Sequence, residues 1–226
     1  MKQNLTRTHL AIALILGSVW GFGEVALGVG LRSCAHLVSG SLMTGVALFF
    51  LSAAWVASSR NYLVPVLVVL IASFFKLFDA VLLSLPLRHG AIGNPIFAFW
   101  MEGLAFIALI GIFHRATWEK ISSKALLGGG SALIAVALFP LVKYATGIPA
   151  CIHPGTTIPL CIYFAPVAIA FSALTVPLGF LTGEWIRTLD GRLDLQLKNR
   201  FVKIMASSAT LAVCLILVVL FRMFVN

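Results

Sequence analysis

Apolar residues run along this chain in long, almost unbroken blocks, and polar residues are confined mainly to the short gaps between them. Seven blocks reach the roughly 20 residues that an α-helix needs to cross a bilayer. They cover residues 10–31, 38–57, 63–85, 92–113, 125–146, 159–186 and 202–224. The gaps hold the helix breakers: Ser58 to Asn61, Pro86 and Gly90, Gly147 and Pro149, and Asp190 with Gly191. The sixth block contains Pro166 and Pro177, which predicts a kinked or broken helix there. In hydrocarbon a backbone must satisfy its own hydrogen bonds, which favours helices that cross completely. The pattern predicts an all-α fold, a polytopic transmembrane helix bundle of seven spans, with residues 1–226 as a single membrane domain. The first block follows Lys2 and Arg7 as a signal peptide would. It runs past signal-peptide length without a small-x-small cleavage site, and so reads as a retained first helix.

Composition strengthens this picture. The 226 residues are 61% hydrophobic and only 10% charged, against about 25% charged in soluble domains. A net charge of +9 would invite a nucleic-acid reading, but the basic residues sit in short loops. They form no basic helix or zinc finger. No nucleic acid is expected as a partner; the lipid bilayer is.

The same basic residues set an orientation. Lys2, Arg7, Arg60, Arg115, Lys120, Lys124, Arg187, Arg192, Lys198, Arg200 and Lys203 fall at one set of span ends, and Arg32, Arg88 and Arg222 at the other. Positive residues stay inside. The N-terminus is therefore expected in the cytoplasm and the C-terminus outside, in an inner (plasma) membrane. Residues 188–200, polar and of mixed charge, read as a cytoplasmic amphipathic stretch.

Five ionisable residues interrupt the spans: Glu24, Lys76, Asp79, Glu102 and Lys143. A charge in hydrocarbon costs at least a few kcal/mol, so such residues face a protein interior and mark function. Counted at about 1.5 Å per residue, all five lie between mid-membrane and the outer side. Gly17, Gly21, Glu24 and Gly28 recur at spacings of four, three and four and share one helix face. Small residues let helices approach closely, which turns Glu24 into the bundle. Lys76 and Asp79 are three apart and can pair along one face. Trp20 and Trp100 lie too deep for interface anchors and each neighbours a buried glutamate, so both are candidates to line a pocket with the five charges, with core packing as the other reading of each. The formal charges sum to −1. Two readings fit this group: mutually neutralising helix glue, or a polar cavity for a small solute. A proton or ion relay through Glu24, Asp79 and Glu102 is a third.

On the predicted outer side, Cys34-Ala35-His36 and Cys151-Ile152-His153 form two Cys-x-His pairs, with Cys161 nearby. A disulfide of Cys151 with Cys161, or of Cys34 with one of them, suits an oxidising compartment, and sequence does not choose the pairing. Cys34, His36, Cys151 and His153 are also a conceivable zinc- or copper-type ligand set, though so short a motif recurs by chance. No nucleotide-binding loop, nucleophile elbow, zinc-protease helix or haem-attachment motif occurs. No cofactor is named by any motif, and an enzyme is the less expected class.

Size, a compact set of apolar spans and a polar pocket in the outer half together resemble the substrate-binding S-components of energy-coupling-factor transporters. The small residues Ala11, Ala13 and Gly17 of the first span would suit a helix that packs on a partner. The resemblance is one of organisation over the first six spans. It implies capture of a micronutrient and dependence on another membrane subunit and a separate ATPase. The seventh span departs from that family, and no family binding residues carry over. The expected function is binding or transport of a small polar solute. The alternative is an integral membrane enzyme, or a redox or structural subunit of a larger complex.

Overall fold

The computed structural model describes residues 5–34, 38–113, 118–196 and 200–225. Nine helices account for most of them: α1 (Arg7–Cys34), α2 (Ser39–Ala57), α3 (Leu63–Leu82), α4 (Gly90–Ile112), α5 (Ile121–Leu138), α6 (Val142–Thr146), α7 (Leu160–Tyr163), α8 (Ala165–Gln196) and α9 (Arg200–Val225). A 3-10 turn, Phe139–Leu141, joins α5 to α6. Among the described residues the sole extended pairing outside the helices is an isolated antiparallel bridge between Ile152 and Pro159. Seven stretches are long and apolar enough to cross a membrane, with α5 to α6 counting as one. The protein is an integral membrane helix bundle.

Several helix ends differ from the hydrophobic blocks. α4 begins at Gly90, where His89 Nδ1 accepts a hydrogen bond from Ala91 N at 3.2 Å. α5 begins at Ile121, ahead of its apolar block. The sixth block is broken, as its prolines predict, but the break falls at Phe164. Pro166 comes in the first turn of α8, while Pro177 is carried inside it. α8 also continues through Gln196, so much of the polar 188–200 stretch extends a membrane helix. Hydropathy marks where lipid ends; a helix stops only where its backbone hydrogen bonds do.

Glycine contacts explain the packing. α2 and α5 both lie on α8. Gly179 and Gly183 of α8 meet the α2 backbone, and Gly45 of α2 meets the Phe171 ring. Gly128 and Gly129 of α5 fit against Ser172 and Ile169. Thr175 Oγ1 donates to Gly45 O at 2.7 Å, bonding α8 to α2. A second group joins α1 to α3, where a Cβ on Gly21 would meet the Phe75 ring at 2.6 Å. These close approaches increase dispersion contact where no hydrophobic force drives helices together. α9 packs mainly on α1 through Cys214, Val218 and their neighbours. Exposed leucines on several helices, such as Leu104, Leu133 and Leu174, face away from the protein, as lipid-facing residues do.

Candidate functional site

At the end of the bundle where α1 and α3 finish and α2 and α4 begin lies a cavity of about 620 Å³. Its walls come from α2, α4, the α5 end with its 3-10 turn, and the 148–161 segment. Among the described residues its charged lining is Glu24 from α1, Lys76 from α3 and Glu102 from α4. Ser41, Thr44 and Asn94 add neutral polar groups; Met43, Phe99, Val136, Phe139, Ile148 and Leu160 supply apolar walls. Gly40, Pro149 and Cys151 also line it and are exposed. Glu24 is 7% exposed and Glu102 4%. The mouth is therefore at the chain surface and the charges lie deep.

Local sequence explains how the charges converge. On α1 the face that carries Gly17 and Gly21 lies against Ile71 and Phe75 of α3. Glu24 comes one turn later on that face, level with Lys76, the residue after Phe75. The two are within electrostatic range, as are Glu24 and Glu102. Thr44 of α2 lies close enough to influence Glu102. Glu24 Oε2 and Asn94 Oδ1 are buried without a hydrogen-bond partner.

Asp79 lies behind this lining. Its Oδ2 is 3.4 Å from Lys76 Nζ. Arg222 of α9 grips both its oxygens, Nε to Oδ1 at 2.7 Å and Nη2 to Oδ2 at 2.8 Å. This two-pronged geometry is the strong form of a carboxylate pair. Its side chains are 1% exposed for Asp79 and 12% for Arg222. Arg222 reads from sequence as one of a few basic residues at the outer span ends. A signal was present: Asp79 and Arg222 each sit about one turn before the end of a helix, and α3 and α9 point the same way if each block crosses once.

Besides Asp79, three other expected lining residues stand outside the cavity wall. Lys143 is exposed on α6, because α5 ends at Leu138 and the Pro140 turn re-aims the chain beyond it. Trp20 is fully buried beneath the wall, its ring 4.9 Å from that of Phe99. Trp100 is half-buried and packs against the apolar core. It lies one residue after Phe99, about 100° around the helix.

Cys151 and Cys161 line the mouth as free thiols. Leu160 N donates to Cys151 O at 2.8 Å, holding the two limbs of the segment together. His153 stacks on Tyr163 with ring centroids 3.8 Å apart, which occupies its ring face. The side chain of Cys34 and all of His36 lie outside the described residues. Among the described residues no three His, Cys, Asp or Glu side chains converge as a metal site.

No protein family, curated protein or solved structure matches this chain. The site therefore has to be read from its own geometry.

Proposed function

We propose that this membrane protein captures a small polar solute in the cavity between α1, α2, α3 and α4. The observation that carries the reading is the convergence of Glu24, Lys76 and Glu102, from three helices, on one cavity of about 620 Å³. That volume falls within the roughly 300–1,000 Å³ of small-molecule sites. Buried charges assembled only to bind helices would be expected to close on one another, as Asp79 and Arg222 do. The opposite end of the bundle is filled by Trp55, Phe106, Trp118 and Phe180, each at most 2% exposed. A cavity above a packed floor suits capture and then a conformational step better than free conduction.

With the N-terminus in the cytoplasm, as the basic residues favour, the mouth faces outward. In that arrangement the protein resembles a solute-capturing subunit, and a separate ATPase with its membrane partner would supply energy. Native mass spectrometry of gently purified protein tests both parts. The expected result is a retained small molecule lost in Glu102→Gln while the protein stays folded, and co-purifying subunits. Glu102→Gln protein whose activity falls only in step with its abundance would overturn the reading in favour of a structural cluster.

A further inference from the structure

The polar atoms left unpartnered on residues that line the cavity point to the kind of group the solute offers. Asp79, a buried carboxylate outside the lining, has both oxygens held by Arg222. Lys76 leans on the same carboxylate, Nζ at 3.4 Å from Oδ2, and also lies in the field of Glu24. Among the described residues, the cation that lines the cavity thus already has a carboxylate beside it. The acceptors are in surplus. Glu24 Oε2, on a side chain 7% exposed, has no hydrogen-bond partner, and neither has Asn94 Oδ1. Glu102, on the facing helix, supplies a second carboxyl to the same space.

A ligand that completes this site donates hydrogen bonds to these acceptors. Among the described residues no three His, Cys, Asp or Glu side chains converge to hold a metal ion in this space. The remaining walls are apolar and aromatic: Phe99, Phe139, Met43 and Ile148. Such walls suit a hydrocarbon body, and ring faces attract a cation. Resting on the binding reading above, we infer that the solute is an organic amine or amidinium. Its N–H groups would point at Glu24, Asn94 and Glu102, and its apolar part would lie against Phe99 and Phe139.

A matched pair of probes tests this: 2-phenylethylamine, and 3-phenylpropanoate as the acid of similar size. Purified protein in detergent is scanned for its melting temperature and for the rate at which Cys151 and Cys161 at the mouth are alkylated. The amine is expected to raise the melting temperature and slow alkylation. Glu24→Gln and Glu102→Gln should each weaken this at least tenfold. Asn94→Ala, at a half-buried neutral position that leaves no orphaned charge, should weaken it with folding intact. Protection by the acid and not the amine would overturn the charge assignment and leave solute binding standing. Amine protection that survives unchanged in all three variants would also overturn it, by removing the acceptors from recognition. Protection by neither probe, together with an empty cavity in native mass spectrometry, would overturn both inferences.

Discussion

The two ends of this bundle are built from similarly apolar helices and solve opposite problems. At one end, Trp55 meets Phe106, Trp118 and Phe180 with ring centroids 5.8–6.3 Å apart. This edge-on arrangement is the one that ring quadrupoles favour. Arg60 lies over Trp55 and Lys124 over Phe180, at 5.6 and 5.1 Å. Aromatic volume fills the space, and the cations stay at the border. At the other end, Glu24, Lys76 and Glu102 enter the same kind of space and a cavity remains. Flat rings can be packed until nothing is left over. Carboxylates from different helices repel one another and need a counter-charge or a donor, so helices that carry them stay apart unless one arrives. Asp79 has its donor in Arg222; Glu24 Oε2 has none.

The largest effect that would test this contrast falls on the pair that is complete. Asp79→Ala leaves Arg222 and Lys76 without their shared acceptor and should cost about 3–5 kcal/mol, measured by denaturant unfolding in detergent. Adding Arg222→Met should recover part of the loss; a double variant whose cost is the plain sum of the singles would show that the two residues are not coupled.

A loss of similar size is expected at the aromatic end. Trp55→Ala should cost roughly 3–5 kcal/mol through the cavity it leaves, with solute affinity per folded molecule unchanged. An altered affinity would show that the two ends are one unit. Glu102→Gln should reverse the pattern. Stability without solute should fall less than in either of those variants, while solute affinity drops about tenfold, near 1.4 kcal/mol.

The smallest effect concerns the mouth. Cys151 is exposed and should be alkylated first. Burial pushes the Cys161 thiol above its ordinary range. Because the thiolate reacts, a raised value means less thiolate at pH 8. The Cys161 rate should keep climbing with pH after an ordinary thiol has levelled off. Peptide mass spectrometry over a time course measures both rates, and equal rates would mean a wider mouth than the structure shows.

Much of this molecule is written locally in its residues. Seven membrane helices come from block length and hydropathy, because lipid cannot satisfy a broken backbone. The inward turn of Glu24 comes from spacing, since Gly17 and Gly21 mark the face of α1 on which α3 can come so close. The Lys76–Asp79 contact needs helical geometry alone. Relations between distant elements are not legible this way. Arg222 lies 143 residues from Asp79, and no local pattern states that α9 packs on α1 beside α3. Lys143 has the composition of a buried charge, yet the Pro140 turn puts it outside. Trp20 and Trp100 adjoin cavity residues in sequence but point elsewhere, because one residue along a helix is about 100° around it. Membrane class, helices and the charges within them follow from length, period and solvation, all local properties of the chain. Which of those charges are already paired, and which line an open space, depends on which helices become neighbours, and only the folded bundle sets that.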